Sequence, residues 1–259
     1  MFIQARGVRV HIEEKGTGEP VLFLHGWGGC IDSFAPVINH VSQTRRAIAL
    51  DFPGFGQSDE PPQPWDVTEY MALTAEIIRT LDIAPCKIIC HSFGGRVAIL
   101  LAATYPDLVG KMVFSDAAGL IPKRSLSYKI KVRTFKLMKK LAQRPWIVKA
   151  LKALGIDLQK KIAARGSSDY KALSGVMRPT FVKVISQDLR PQLARIQSSV
   201  VLVWGAEDTD TPLSFGKIMA EEIPDAGLIV FEGAGHFAYL DQPGRFLAIV
   251  DSFFGGKDA

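Results

Sequence analysis

Along the chain, apolar residues fall into two rhythms. Runs at 21–24, 47–50, 87–90, 111–115, 200–204 and 228–231 are apolar nearly throughout, which suits short strands covered on both faces. Residues 2–5 and 8–13 alternate apolar and polar around Arg6-Gly7, the pattern of an opening hairpin. Between the runs, apolar positions recur at helical spacing over 33–41, 68–81, 94–105, 213–223 and 242–254. This alternation predicts an α/β fold, a mostly parallel sheet with helices on both faces.

One connection breaks the rhythm. The runs at 111–115 and 200–204 are separated by 84 residues, whereas a crossover with its helix needs about 25–35. Roughly fifty residues must therefore lie outside the sheet. Residues 128–141 mix Ile130, Phe135, Leu137, Met138 and Leu141 with Lys and Arg. Pro145 opens a second amphipathic stretch, with Trp146, Ile147, Leu151 and Leu154 set against Lys149 and Lys152. Gly155 and Gly166 read as helix stops, and a third helical stretch is expected over 180–187. The reading is a helical cap (121–187) over the carboxyl ends of the strands, where open α/β sheets bind ligands. The core is then 1–120 and 188–259.

Composition sharpens this picture. With 259 residues, 47% of them apolar, the chain suits one large domain with an insertion. No run of about eighteen uncharged apolar residues occurs, so no spanning helix is expected. The net charge of +5 is uneven: residues 122–172 carry fifteen Lys or Arg and only Asp157 and Asp169 as acids. The remainder has sixteen basic and twenty-four acidic residues, so the basic character belongs to the cap. That face could draw in an anionic substrate or rest on an anionic membrane. The plainer reading is a solvated outer face on helices whose apolar sides cover the site. Nucleic acid is not expected, because no recognition module accompanies the charge. Cys30, Cys86 and Cys90 form no metal-spaced pair, and their odd number argues against a disulfide framework. Without a signal-peptide pattern at 1–6, a cytoplasmic protein is expected. No metal or phosphate-binding glycine loop is present, so no cofactor is expected.

The chemistry gathers at predicted strand ends. Ile88-Ile89-Cys90-His91-Ser92-Phe93-Gly94-Gly95 runs an apolar strand into a serine and then two glycines. This is nearly the Gly-x-Ser-x-Gly turn that aims a hydroxyl out of the backbone, with Cys90 in place of the first glycine. Ser92 as a plain helix N-cap is the bland alternative, and Cys90 reads as a small core residue. A serine nucleophile needs a base, a group to orient that base, and donors for an oxyanion. Of five histidines, His236 follows the last strand in Gly233-Ala234-Gly235-His236-Phe237, while the His91 side chain is expected to point away from the nucleophile. Asp208, after the strand at 200–204, is the first choice of acid. Glu207 lies beside it, Asp210 fits a helix cap better, and Asp116 is the runner-up. The glycine-rich turn His25-Gly26-Trp27-Gly28-Gly29 would supply one oxyanion donor, the Trp27 N–H, and the Phe93 N–H the other.

These segments, with Asp51-Phe52-Pro53-Gly54-Phe55-Gly56-Gln57-Ser58-Asp59 and Gly205-x-x-Asp208-x-x-x-Pro212, resemble the α/β-hydrolase family across nearly the whole chain. The resemblance implies an eight-stranded sheet, a cap after the sixth strand and a Ser92–His236–Asp208 triad. Ser92 excludes the family's aspartate-nucleophile branch. Hydrolysis of carboxylic esters of small or medium acyl groups through an acyl-enzyme on Ser92 is the expected function, with a small-molecule ester as partner. Phe135, Met138, Met177, Phe181 and Phe237 are candidates to line the acyl pocket. Carbon–carbon bond hydrolysis and acyl transfer remain open alternatives, as does a slow-turnover ligand-sensing receptor on the same fold.

Overall fold

In the computed structural model, residues 1–121 and 175–255 are described, together with positions 133, 134, 141, 142 and 144. Phe135, Met138 and most of the stretches expected to be helical within 128–154 lie outside these residues. The chain divides into one unit of Met1–Leu120 and Gly175–Ala259 and a second of Ile121–Ser174. The sheet and every site residue described below belong to the first.

Eight strands form one sheet: β1 (Phe2–Ala5), β2 (Val8–Lys15), β3 (Pro20–Leu24), β4 (Arg46–Leu50), β5 (Cys86–His91), β6 (Val109–Ser115), β7 (Val200–Gly205) and β8 (Ala226–Phe231). Their order is β1-β2-β4-β3-β5-β6-β7-β8. β2 pairs antiparallel with β1 and β4, and every other pairing is parallel. All strands from β3 to β8 therefore end on the same edge, which is why widely spaced loops can converge there. The pairing Ile12↔Leu50 to Lys15↔Ala47 carries β2 two residues beyond the sequence expectation. Glu13, Glu14 and Lys15 break the alternation, so only the long-range pairing reveals that end.

The continuous apolar runs are explained by cover on both faces. The described helices are α1 (Ala35–Val41), α2 (Val67–Thr80), α3 (Phe93–Thr104), α4 (Met177–Ser186), α5 (Leu213–Glu222), α6 (Ala238–Asp241) and α7 (Pro243–Phe254). On one face, Val37 and Val41 of α1 and Phe246, Val250 and Phe254 of α7 pack with Val21, Phe23, Ala47, Ile89, Val113 and Val203. The alternate residues Leu22, Leu24, Ile88, Cys90, Phe114 and Trp204 are equally buried. They face the opposite side, where α3 meets β3, β5 and β6, α2 packs on α3, and α5 meets β7 and β8. Each fully buried Val, Leu, Ile or Phe side chain among them stabilises the fold by roughly 1.5–3 kcal/mol.

α4 starts at Met177, three residues before the expected stretch, and it belongs with the sheet rather than with the insertion. Thr180 Oγ1 accepts from the Trp65 N–H at 3.2 Å and Gln187 Oε1 from the Val67 N–H at 2.7 Å. Arg96, buried on α3, donates to the Gln187 carbonyl at 2.9 Å. These bonds are long-range, so amphipathicity alone gave no sign that 175–187 leave the expected cap.

One close approach fixes α3. A Cβ on Gly94 would overlap the Leu24 carbonyl oxygen, and one on Gly95 would overlap Ala117. The backbone there cannot yield without unpairing β3 from its neighbours. Gly94→Ala is expected to cost at least about 3 kcal/mol in urea unfolding; a loss below about 1 kcal/mol would contradict the approach.

Candidate active site

β5 enters α3 through a single residue. Ser92 has φ +47° and ψ −109°, a conformation that costs an L-residue of order 1–3 kcal/mol. It occupies the helix N-cap position, but its side chain makes no capping hydrogen bond. The hydroxyl is therefore free for other work, which removes the bland reading of this serine. The turn is held on both sides. The Ser92 N–H donates to the Ser115 carbonyl at 3.2 Å, and the Ser92 carbonyl accepts from Gly95 at 3.0 Å and Ala118 at 2.8 Å. Cys90 is wholly buried, and burial pushes its thiol well above the ordinary range. It is a protonated core group, not a thiolate.

The turn after β8 brings His236 to Ser92. Nε2 lies 3.0 Å from Ser92 Oγ and Nδ1 lies 2.9 Å from Asp208 Oδ2. A neutral imidazole protonated on Nδ1 donates to Asp208 and accepts from the serine. Burial pulls the His236 pKa down, but the Asp208 hydrogen bond and charge, joined by Asp210 and Asp116, outweigh it and raise it. Burial likewise pushes Asp208 up. Hydrogen bonds from His236 and Thr211 prevail and lower it, so the carboxylate stays ionised.

The choice among the acids of the 207–210 loop is decided by burial and direction. Asp208 is 6% exposed, and its Oδ1 accepts from the Asp210 N–H at 2.8 Å and the Thr211 N–H at 3.0 Å. The Thr211 hydroxyl lies 2.6 Å from Asp208 Oδ2. Asp210 does not cap the following helix as expected: the cap position of α5 is Pro212, without a side-chain bond. Its backbone instead serves Asp208. Thr211 had no signal of its own in the sequence beyond its place three residues after the acid.

The turn after β3 is built around His25. Its Nδ1–H donates to the Gly26 carbonyl at 2.7 Å, and Nε2 accepts from the Phe52 N–H at 2.9 Å. Complete burial pushes its pKa down to about 4, so it is neutral. Gly26 lies against Ser92 and His91: a Cβ there would come within 2.7 Å of His91 Nδ1 and 3.3 Å of Ser92 Cβ. Among the described residues, the N–H groups of Trp27 and Phe93 have no protein acceptor. Phe93 opens α3, so its amide also carries the positive end of the helix dipole.

Aromatic rings hold this turn. Trp27 meets Phe55, Phe93 and Phe181 at centroid distances of 4.9, 5.3 and 5.1 Å. Phe93 also meets Phe52 and Tyr70. Of the pocket candidates, Phe181 is thus beside the turn, Met177 is buried against Gly54, and Phe237 is half exposed next to His236. Sequence reading missed Phe52, Phe55 and Tyr70, whose convergence needs the sheet. It gave no sign that the His91 ring would lie tilted 4.8 Å from that of His236, with its Nε2–H donating to the His236 carbonyl at 2.8 Å. Burial, then the charge of His236, push its pKa down to about 3.

A parallel-rich α/β sheet whose strand ends bring together a strained serine, a histidine and a buried carboxylate belongs to the class of α/β hydrolases. The chain is a member of the alpha/beta hydrolase family, whose model matches residues 21–249. It is 25% identical over 279 residues to the 2-hydroxymuconate semialdehyde hydrolase of Pseudomonas putida, covering 99% of this chain and 94% of that protein. An esterase from Exiguobacterium antarcticum superposes with a TM-score of 0.75 at 26% identity, over 97% of this chain and 98% of its own. A meta-cleavage product hydrolase from Pseudomonas fluorescens IP01 gives 0.73 at 25% identity, over 98% and 97%. Among the described residues, no helix is long and apolar enough to cross a membrane, and no cluster of His, Cys, Asp or Glu could hold a metal ion.

The buried histidines make stability depend on pH. An unfolded histidine takes up its proton near 6.5, whereas folded His25 does so near 4 and His91 near 3. Between these values the unfolded state binds more protons, so stability falls as pH drops below about 6.5. Asp116, raised to about 6 mainly by burial, works in the opposite direction and offsets one of the two. Urea unfolding should therefore weaken by about 1.4 kcal/mol per pH unit between 6 and 4. His91→Gln should flatten this slope; a variant with the wild-type slope contradicts the assignment.

Proposed function

We propose that the protein is a serine hydrolase of carboxylic esters with small or medium acyl groups. The observation that carries the reading is the 3.0 Å contact from His236 Nε2 to Ser92 Oγ, backed by Asp208 on Nδ1. His236 takes the Ser92 proton as Oγ attacks the acyl carbonyl, and the carbonyl electron pair moves onto oxygen. The Trp27 and Phe93 N–H groups donate to that oxyanion. As the tetrahedral adduct collapses, the bond to the alcohol oxygen breaks and His236 gives its proton to the leaving alcohol. The same histidine then deprotonates water, which attacks the acyl-enzyme and releases the acid. Asp208 keeps the imidazole in the productive tautomer and stabilises the imidazolium. Trp27, Phe181 and Phe237 present ring surface near these groups, which suits an apolar acyl chain. The basic segment 122–172 remains a proposed contact for anionic substrates.

A second reading is favoured by two of the relatives, whose names are those of a semialdehyde hydrolase and a meta-cleavage product hydrolase. The same serine and histidine could cleave an acyl–carbon bond, provided the leaving carbon is stabilised as an enolate and receives the proton.

A fluorophosphonate probe followed by peptide mass analysis should label Ser92 in wild type and nothing in Ser92→Ala, with ester turnover falling by at least about 10³-fold in the variant. Equal labelling of both proteins would remove the mechanism. A panel of p-nitrophenyl esters beside a vinylogous diketone then separates the readings: higher kcat/KM on the diketone replaces the ester assignment with carbon–carbon cleavage.

A further inference from the structure

Asp116 was the runner-up for the acid of the site, and it makes no hydrogen bond to His236. It is nevertheless wholly buried, and it has φ +47°, the same left-handed excursion as Ser92. A non-glycine residue held there at the end of a strand points to a constraint that outweighs the strain. The constraint is visible in its contacts. Oδ1 accepts from the Gly205 N–H at 2.8 Å, at the end of β7, three residues before Asp208. Oδ2 accepts from the Ala238 N–H at 3.1 Å, two residues after His236, and from Ser115 Oγ at 2.8 Å. The Asp116 carbonyl lies 2.9 Å from the Thr211 hydroxyl, the group that also reaches Asp208 Oδ2. Two residues on, the Ala118 N–H donates to the Ser92 carbonyl. One turn thus touches the segments that carry all three reacting groups.

We propose that Asp116 is a positioning residue: its carboxylate holds the Asp208 and His236 loops in register with Ser92, and its negative charge supports the imidazolium that forms on His236. This rests on the reading of Ser92, His236 and Asp208 as the reacting groups. Asp116 and the acid differ in what they can do. Asp208 receives the imidazole N–H directly, whereas the oxygens of Asp116 are taken by two backbone amides and a hydroxyl. The titratable groups around the pair are Asp208 and Asp210 from the loop after β7, His91 from β5 and Tyr239 from α6. Asp116 is itself raised to about 6, by burial first and by the charge of Asp208 last, against its three hydrogen bonds.

Asp116→Asn tests this in the full-length protein. The amide must set an NH2 against either the Gly205 or the Ala238 N–H, and the charge is lost. Active sites are counted by fluorophosphonate titration, so that a folding loss is not read as a catalytic one. Per active site, kcat on p-nitrophenyl acetate should fall about 10- to 100-fold with KM within about twofold. The His236 imidazole, followed by ¹⁵N NMR, should titrate about half a pH unit lower than in wild type. A kcat within twofold of wild type overturns the proposal. So does a fall in kcat with an unmoved His236 titration, because a merely structural role would give that. If Asp116→Asn does not accumulate as folded protein, Ser115→Ala removes one donor from the same oxygen and leaves the charge. A three- to tenfold fall in its kcat at constant KM with a lowered His236 titration sustains the proposal, and an unchanged kcat or an unmoved titration overturns it. If wild type itself takes no fluorophosphonate label, the hydrolase reading fails separately, and the His236 titration alone decides Asp116.

Discussion

Everything in the site depends on one reversal of the backbone, where β5 turns into α3 at Ser92. The left-handed conformation there is unfavourable for a serine, and it persists because its neighbours leave no alternative. Gly94 rests on the Leu24 carbonyl, Gly95 on Ala117, and the carbonyl of Ser92 is claimed by Gly95 and Ala118. Strands buried on both faces cannot shift to relieve the strain, since a shift would open a densely packed core. The outcome is a hydroxyl carried clear of its own helix, with the Phe93 amide at the helix start beside it. The cost of the turn is of order 1–3 kcal/mol, small against the burial of β3, β5 and β6.

Electrostatics then divides the ionisable groups by duty. His25 and His91 are buried with a carbonyl on one ring nitrogen each, so they stay neutral and serve as struts. His236 is less enclosed and faces a carboxylate, so its cationic form is favoured where those of the other two are not. The two buried acids diverge as well. Asp208 is lowered because its partners include an imidazole, whereas Asp116 is raised because amides and a hydroxyl do not fully replace water. Environments that push like groups in opposite directions are the usual sign of an acid–base site.

Much of this was legible in the residues. Alternating apolar runs and helical periodicities located all eight strands and the main described helices, because local periodicity records which faces are covered. Ser92, Asp208 and His236 stood out because each follows a strand within a glycine-rich or turn-rich segment, where a parallel sheet exposes its ligand-binding edge. Less visible were the end of β2, the true start of α4, the rings of Phe52, Phe55 and Tyr70, and the orientation of His91. Each of these depends on a partner more than about 20 residues away in sequence.

The sequence by itself determined the class of fold, the strand ends where polar groups gather, and the serine and histidine that meet there. Those features follow from short-range pattern and from the backbone freedom of glycine. Only the tertiary structure decided that Asp208 rather than Asp210 or Asp116 faces His236, that Thr211 steadies that acid, and that His91 braces the histidine loop. Three neighbouring acids look alike in a string of letters. They differ once folded, because burial and the direction of each carboxyl group are set by hydrogen bonds between segments that meet only when the sheet closes.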